Sequence, residues 1–388
     1  MKVLFLVRAL VHEGAERQLV LLANELARRK HDVAIAVFYA DGSLEKEVDN
    51  PPVRIIPLGK RSRWDLLSFY WTVLRLVKKE CPDVLHGWMS TPNLVATMAR
   101  IFFPKVRVFW CIRCSNLEVL SDRLARIIYW FERKLSRFAD CIVVNSQAGF
   151  DYAVARRFSS DKMICIPNGI DIERLRPDAA AGQAVRAEWG ITGAERTIGL
   201  VGRLDPVKAH AVFLQAAAQL ARERSDVRFI CIGNGPQGYR EKLQALSRRL
   251  AVEKRVVWLP ARPDVKAVYN ALDVLCLPSI SEGFPNVVAE AMACGRHCVV
   301  TDVGDTRFLV GDAGIVVPPG DASALAKGLR QALSKASSSN EQGRQRILER
   351  FSLTRLADRT EEVLLRFGSN PQKQFTGLAE PITGGSST

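Results

Sequence analysis

Short apolar runs alternate with amphipathic stretches along nearly the whole chain, a pattern typical of alternating strands and helices. Runs rich in Val and Ile predict six strands in the first part of the chain, at residues 3–7, 33–38, 53–57, 84–86, 106–112 and 141–145. Helical periodicity between them predicts helices at residues 15–30, 66–79, 92–102 and 122–138. Such alternation indicates parallel sheets covered by helices.

A second series of the same kind begins after Asn168. Its strands are predicted at residues 197–201, 228–232, 256–259, 274–278, 297–301 and 314–317. Helices at 323–334 and 340–367 close the series, and residues 368–388, rich in Gly, Ser, Thr and Pro, indicate a flexible tail.

The sequence therefore predicts an α/β protein with two doubly wound, Rossmann-like domains. The first would span residues 1–170, and the second residues 171–367, including the closing C-terminal helices. Because ligands of such sheets bind at the carboxyl ends of the strands, we expect the active site in a cleft between the two domains.

The composition agrees with a globular protein in a reducing compartment. The 388 residues are 48% hydrophobic, and no apolar run reaches the length of a membrane-spanning helix. The nine cysteines lie mostly in apolar segments, which favours reduced thiols and a cytoplasmic location. Cys111 and Cys114 have metal-like spacing, but no second pair with nearby His completes a zinc pattern, so we expect no metal.

The formal net charge of +14 favours anionic partners without choosing among them. Cations and aromatic residues interleave at residues 60–79 and 123–137, in and just before two of the predicted helices, as in proteins that lie peripherally on anionic membranes. Alternatively, these aromatic residues belong to the core and the cations to a solvated face. No zinc module or nucleic-acid-reading element accompanies the charge, so we expect no nucleic-acid partner.

A short helix after one strand carries the most informative motif. Pro285 favours its start and Gly295 its end, and the free N–H groups at a helix start bind anions. Glu290 lies four residues after Asn286 on the same helical face, and Glu282 stands in the preceding loop. Two carboxylates on either side of an anion position suit a phosphate flanked by hydroxyl groups, as in a nucleotide sugar.

A second strand leads into a turn that carries cations. Gly202 and Arg203 follow the predicted strand 197–201, and Lys208 lies at the end of the same turn. Fixed cations stabilise the charge that develops on a diphosphate leaving group, by analogy with oxyanion donors at about 2.7–4 kcal/mol each.

These motifs, together with Ile-Pro-Asn-Gly-Ile-Asp at residues 166–171, resemble family 4 of the retaining glycosyltransferases, also called glycosyl transferases group 1, which have the GT-B fold. The resemblance covers nearly the whole chain, and it implies that residues 1–170 form the acceptor side and residues 171–367 bind the nucleotide sugar. It implies that Arg203 and Lys208 hold the diphosphate and that Glu290 binds the ribose. The further donor contacts that it implies are Gly202, Glu282, Gly283, Phe284, Pro285 and Asn286.

The resemblance extends to the N-terminal half. Glu13-Gly14-Ala15-Glu16 is similar to the family's glycine loop, with Glu13 in place of the first of two glycines, so Gly14 would approach the donor phosphate. His86 is similar to a histidine near the donor sugar. Residues 302–305 depart from the family's paired glycines and glutamate. The candidate catalytic residues are Arg203, Lys208, Glu282 and His86.

The resemblance implies a glycosyltransferase that moves a hexose or related sugar from a nucleoside-diphosphate sugar with retention of configuration, without a metal or other cofactor. We expect a lipid-linked saccharide acceptor, in polysaccharide, lipopolysaccharide or glycolipid assembly, and soluble acceptors remain an alternative. Gly-x-Gly-x-x-Gly at residues 233–238 would instead indicate a nucleotide-binding dehydrogenase, and the basic charge a nucleic-acid-binding protein.

Overall fold

The computed structural model describes residues 1–11, 14–49, 51–62, 64–113, 123–191 and 193–369. The described residues form two compact units: unit 1 contains Met1–Gly169 and residues 353–369, and unit 2 contains Ile170–Ser352. The predicted tail at residues 368–388 lies outside the described residues, except for its first two, which belong to the last helix.

Unit 1 is built on a seven-stranded parallel sheet. Its strands are β1 (Lys2–Val7), β2 (Asp32–Val37), β3 (Arg54–Pro57), β4 (Val84–Trp88), β5 (Arg107–Ile112), β6 (Cys141–Val144) and β7 (Met163–Cys165). Its helices are α1 (Gly14–Arg28), α2 (Leu66–Glu80), α3 (Ser90–Ala99), α4 (Arg123–Leu135), α5 (Gln147–Ala155) and α14 (Leu353–Ser369). The spatial order of the strands is β3-β2-β1-β4-β5-β6-β7.

Helices cover both faces of this sheet, which explains why its strands are apolar runs rather than alternating ones. Successive residues of β1 point to opposite faces. Phe5 packs in the cluster that contains α1 and α14, whereas Leu4 and Leu6 pack in the cluster that contains α2 and α3. The short strand β7 has no counterpart among the six predicted strands.

Unit 2 is built on a six-stranded parallel sheet in the order β10-β9-β8-β11-β12-β13. The strands are β8 (Arg196–Val201), β9 (Val227–Ile232), β10 (Val256–Leu259), β11 (Val274–Leu277), β12 (His297–Thr301) and β13 (Ile315–Val317). The helices are α6 (Ala179–Glu188), α7 (His210–Glu223), α8 (Gln237–Arg249), α9 (Val265–Ala271), α10 (Asn286–Ala293), α11 (Thr306–Val310), α12 (Ala322–Lys335) and α13 (Glu341–Arg350).

The last helix differs from the prediction in length and in partner. The helix predicted at residues 340–367 is two helices, α13 in unit 2 and α14 in unit 1. The Phe367 ring lies 6.1 Å from that of Phe109, and the Arg29 guanidinium donates to Asp358 Oδ1 at 2.8 Å. Because the apolar face of α14 is buried in the unit 1 core, its assignment to the C-terminal domain is wrong.

Each sheet has a topological switch point beside its first strand. In unit 1, β2 and β3 lie in sequence on one side of β1, and the chain then crosses over so that β4 pairs with the other side of β1. In unit 2 it builds outward from β8 to β10 and returns to add β11 beside β8. Loops at the carboxyl ends of these paired strands leave room for ligands, so β8 and β11 mark the expected site in unit 2.

Candidate active site

The predicted donor-binding residues of unit 2 follow the two strands at its switch point. The loop between β8 and α7 contains Gly202, Arg203 and Lys208, and the loop between β11 and α10 contains Glu282, Gly283, Phe284 and Pro285. The Ile280 N–H donates to the Val207 carbonyl at 2.9 Å, which joins the two loops directly. The structure therefore brings together the two motifs that the sequence separates by about 70 positions.

Lys208 and Glu282 form an ion pair in this site. The distance from Lys208 Nζ to Glu282 Oε1 is 2.6 Å, and the side chains are 20% and 10% exposed. An ammonium group has three N–H donors, and Glu282 occupies one of them. The pair can therefore hold Lys208 in position while other donors remain for a phosphate oxygen.

Arg203 differs from Lys208 in its exposure. Its side chain is 72% exposed, and Nη2 lies 3.7 Å from Asp205 Oδ2. Asp205 also caps the turn, because its Oδ1 accepts from the Val207 N–H at 2.9 Å. The Arg203 guanidinium is therefore largely in solvent, and its exposed ion pair with Asp205 contributes little to stability.

Ala209 connects this loop to α7 in a conformation that alanine disfavours. Its backbone is left-handed, with φ 50° and ψ 41°, and the residue is buried. His210, the next residue, is fully buried, and burial, followed by the charge of Lys208, lowers its pKa to about 4. The helix therefore starts from a strained residue and a neutral imidazole.

Replacing Ala209 by glycine is expected to raise the free energy of unfolding by up to about 1 kcal/mol, because glycine adopts this conformation without a Cβ clash. Urea denaturation measures the change. Ala184→Gly on the exposed face of α6 is the matched control, and we expect it to lower stability by about 1 kcal/mol. Equal losses from both substitutions would show that Ala209 is unstrained.

Gly304 packs closely against the backbone of the loop that contains Glu282. Gly304 has φ 55°, and a Cβ at this position would lie 2.1 Å from the Glu282 carbonyl oxygen. The Asp305 N–H donates to the Gly283 carbonyl at 3.1 Å. The segment that departs from the family pattern therefore supports the Glu282 loop through its backbone.

Glu290 is held by a tyrosine that the sequence analysis did not identify. The Tyr269 hydroxyl, on α9, donates to Glu290 Oε2 at 2.6 Å, and both residues are buried. Asn286 begins α10, with Pro285 as the N-cap residue, so the helix starts one residue later than predicted. A carboxylate with one oxygen fixed in this way is oriented before any ligand binds.

Phe284 is a core residue of unit 2. Its ring lies 5.4 Å from that of Phe351, which in turn lies 5.7 Å from that of Phe308. A donor contact from Phe284 would therefore come from its backbone, as the resemblance implies for this segment.

Close packing against the backbone explains two of the three glycines at residues 233–238. A Cβ on Gly233 would lie 1.8 Å from the Gly202 carbonyl oxygen, and one on Gly235 would lie 2.4 Å from the Leu204 carbonyl oxygen. The loop also follows β9, whereas a dinucleotide fingerprint follows the first strand at the switch point. The dehydrogenase alternative therefore has no support in this unit.

Two predicted site residues lie in unit 1. Gly14 begins α1 and is exposed, while Glu13 lies outside the described residues. His86 does not end its strand as predicted, because β4 continues to Trp88. The imidazole lies 5.2 Å from the Phe5 ring and 5.8 Å from the Phe109 ring, and it is 2% exposed. Burial, followed by the charge of Arg113, lowers the pKa of His86 to about 3.

The described residues contain neither a metal-binding cluster nor a membrane-spanning helix. No group of three or more His, Cys, Asp or Glu residues in the described ranges is arranged to hold a metal ion. Cys111 is free and buried, and Cys114 lies outside those ranges. None of the helices in the described ranges is both long and apolar enough to cross a bilayer.

Comparison with known proteins identifies the family. Residues 12–174 match the family described as Glycosyltransferase Family 4, and residues 195–335 match Glycosyl transferases group 1. A D-inositol 3-phosphate glycosyltransferase of Saccharomonospora viridis is 32% identical over an alignment of 395 positions, gaps included. The alignment covers 92% of this chain and 89% of that protein. The chain belongs to glycosyltransferase family 4. The resemblance inferred from the motifs is confirmed.

A second relative matches over less than half of its length, whereas one solved structure matches over its whole length. The D-inositol 3-phosphate glycosyltransferase of Segniliparus rotundus is 33% identical over 194 residues, which cover 48% of this chain and 42% of that protein. The crystal structure of Anabaena HepE with UDP-glucose has a TM-score of 0.82 and 23% identity, covering 94% of this chain and all of that one. This likeness confirms the predicted GT-B fold with two Rossmann-like domains.

Three residues near the expected ligand positions escaped the sequence analysis. They are Tyr269, which holds Glu290, and the pair Trp88 and Arg113 at the carboxyl edge of the unit 1 sheet. Arg113 directly follows the predicted strand 106–112, a position that could have identified it. Tyr269 carries no such signal, because it lies on a helix far from the motif in sequence.

Proposed function

We propose that the protein transfers a hexose or related sugar from a nucleoside-diphosphate sugar to an acceptor, with retention of configuration. The main support is the arrangement of Lys208 and Glu282 on the two loops at the unit 2 switch point, with Glu290 on the helix α10 that follows the second loop. The GT-B relative HepE was crystallised with UDP-glucose, which favours a UDP-sugar donor.

The residues of unit 2 suggest how the donor is activated. As the glycosidic bond breaks, the leaving diphosphate gains negative charge, and cations fixed beforehand stabilise that charge. Lys208 would supply the fixed cation and Arg203 an exposed one that moves onto the phosphate. In this proposal the two cations and the start of α10 perform the role of a divalent ion, and no cofactor is needed.

The remaining donor contacts follow from the same geometry. The Glu290 carboxylate, oriented by Tyr269, would accept hydrogen bonds from the ribose hydroxyls. Glu282 would bind the sugar through its other carboxylate oxygen, while Oε1 keeps its bond to Lys208. The sugar passes through an oxocarbenium-like state, and the acceptor attacks the face that the diphosphate leaves.

We propose a lipid-linked saccharide as the acceptor, bound at the inner face of a membrane during polysaccharide, lipopolysaccharide or glycolipid assembly. The second candidate is a soluble phosphorylated inositol, because the relatives described above are named for D-inositol 3-phosphate. Both candidates carry phosphate, since a saccharide is commonly linked to its lipid through a diphosphate.

A surface of unit 1 supports the membrane-bound acceptor. We call it the outer helical surface, and it comprises exposed apolar residues on or beside α2, α3 and α4: Trp64, Leu66, Leu67, Trp71, Met98, Ile101, Phe102, Ile127, Trp130 and Phe131. These three helices cover one face of the sheet, and the Tyr70 ring of α2 lies 6.3 Å from that of Phe102. Exposed apolar groups concentrated in this way mark an interaction surface.

The charge of α2 favours an anionic bilayer over a protein partner. Leu67, Trp71, Arg75 and Lys78 share one exposed helical face, with the apolar pair preceding the cations. The one acidic residue of this helix, Glu80, is buried, and Arg54 and Lys2 hold its pKa near 2. The exposed face of α2 is therefore apolar and cationic, which suits anionic lipid headgroups.

The triple variant Trp64→Ser, Leu67→Ser, Trp71→Ser is expected to lose co-sedimentation with phosphatidylglycerol vesicles at low salt, because burial of these three side chains drives binding. UDP binding should be unchanged. Leu365→Ser on α14 is the matched control, because it removes an exposed apolar residue from the other side of the sheet. Wild-type protein that stays in the supernatant, or that instead forms a dimer, would overturn the membrane proposal.

Isothermal titration with UDP, GDP and NAD, without metal and in EDTA, tests the donor site. We expect one nucleoside diphosphate to bind and NAD not to bind. The matching nucleotide sugar should then be consumed with either a lipid-diphosphate saccharide or an inositol phosphate, and proton NMR of the product reports the anomeric configuration. Binding of NAD alone, or of no nucleoside diphosphate, would refute the proposed function.

A further inference from the structure

A half-buried guanidinium lies at the carboxyl edge of the unit 1 sheet, outside every motif described above. Arg113 directly follows β5, and its Cζ lies 4.3 Å from the centroid of the Trp88 ring at the end of β4. β4 is one of the two strands at the switch point of this sheet, and β5 is its neighbour. The position is therefore one at which Rossmann-like sheets bind ligands.

The contacts of Arg113 with the described residues are all with neutral groups. Nε donates to Cys111 Sγ at 3.0 Å, Nη1 donates to Asn168 Oδ1, and the planar group stacks on the indole of Trp88. Removing a guanidinium from water without a carboxylate partner costs stability. Because a guanidinium has five N–H donors and these contacts occupy two, three remain for an anion.

The surrounding residues hold this cation in place. Asn93 is fully buried, and its side chain clamps Cys111: Nδ2 donates to the Cys111 carbonyl at 3.2 Å, and Oδ1 accepts from its N–H at 3.3 Å. The same Nδ2 donates to Glu132 Oε1 at 3.1 Å. Trp88 is fixed as well, because its Nε1 donates to the Ala15 carbonyl at 2.9 Å.

The connection between β4 and α3 is strained at the same edge. Met89 has φ 74° and ψ 175°, a region that residues other than glycine rarely occupy. Strained backbone of this kind persists only where the surrounding structure fixes it, and it is common at ligand sites.

We propose that Arg113, stacked on Trp88, binds a phosphate group of the acceptor. The inference rests on the proposed function, in which both candidate acceptors carry phosphate. Two parallel N–H groups of an arginine match two phosphate oxygens, and the ligand would supply the negative charge that the neutral contacts lack. The same contact would serve an inositol phosphate or the diphosphate of a lipid-linked saccharide.

Titration of the UDP-saturated protein tests this contact. The probes are inorganic pyrophosphate, inositol 3-phosphate, farnesyl diphosphate and unphosphorylated myo-inositol. We expect at least one phosphorylated probe to bind, and Arg113→Gln to weaken that binding by about tenfold or more, as for loss of a charge-assisted hydrogen bond. Arg113→Lys should recover part of the affinity, since it keeps the charge but loses the planar fork.

Arg137→Gln is the matched control, because Arg137 also lies over an aromatic ring, that of Phe138 at 4.9 Å, but is exposed. We expect this variant to bind the probes like the wild type. Preference for inositol 3-phosphate would indicate the soluble acceptor, and preference for farnesyl diphosphate the lipid-linked one. Equal binding of myo-inositol and its phosphate would overturn the inference.

A measurement on the wild type keeps the inference testable if Arg113→Gln does not fold. Phenylglyoxal modifies accessible guanidinium groups, and peptide mass spectrometry identifies the modified residue. The phosphorylated probe should protect Arg113, and UDP alone should not. Lack of protection in a protein that binds UDP would reject this inference alone, whereas a protein that binds no nucleoside diphosphate would contradict the proposed function.

Discussion

Replacing Lys208 by alanine is expected to lower kcat with the nucleotide sugar by about a hundred- to a thousandfold, the usual effect of removing one preorganised group that stabilises transition-state charge. The substitution also leaves Glu282, whose side chain is 10% exposed, without its cation. We expect nucleotide affinity to fall less than kcat, because the charge on the leaving diphosphate grows as the bond breaks. Release of nucleoside diphosphate measures the rate, and calorimetry measures the affinity.

The matched control for this substitution is Lys266→Ala. Lys266, on α9, forms an ion pair of the same 2.6 Å length with Asp178, the N-cap residue of α6, so neither partner belongs to the donor loops. Its loss should leave kcat unchanged, because a solvent-accessible pair contributes little to stability and this one contacts no donor-binding side chain named above. A Lys208→Ala enzyme as active as Lys266→Ala would mean that Lys208 only positions Glu282, and Glu282→Gln should then cause the larger loss.

The sequence identified the parts of the fold that depend on local pattern. All six strands of unit 2 were predicted because each is a short apolar run between turn residues. The loops carrying Lys208 and Glu282 were identified for a related reason, since glycine and proline mark strand ends and helix starts. The strand order then places the two loops side by side.

Contacts between distant segments were beyond such reasoning. The position of α14 depends on Phe367 packing against Phe109, and no local signal assigns a helix to one core or another. Likewise, the orientation of Glu290 depends on Tyr269, and the environment of Arg113 depends on Trp88. For His86 the local pattern was misleading: the histidine was predicted at the end of a strand, but it lies buried in an aromatic cluster.

Lowering the pH from 6.5 toward 4.5 is expected to destabilise both units, because each buries a neutral histidine. The pKa is about 3 for His86 in unit 1 and about 4 for His210 in unit 2, in both cases mainly through burial. In the unfolded chain these histidines take up protons as the pH falls through about 6.5, whereas in the folded protein they stay neutral down to about pH 4.5. The unfolded state therefore binds more protons, and stability falls by about 1.4 kcal/mol per pH unit for each histidine.

Two substitutions isolate these contributions. His86→Phe fits the aromatic cluster, and His210→Leu keeps an apolar residue at the start of α7. In each variant the number of protons taken up on unfolding between pH 6.5 and 4.5 should fall by about one. The slope of the unfolding free energy against pH, measured by urea denaturation, reports this number. Glu132 acts in the opposite direction, because burial raises its pKa, but it does so equally in all variants. Carboxylates with lowered pKa values, such as Glu80, matter only toward and below pH 4.5. An unchanged slope in both variants would therefore mean that the two imidazoles take up protons in the folded protein, and that their burial does not hold them neutral.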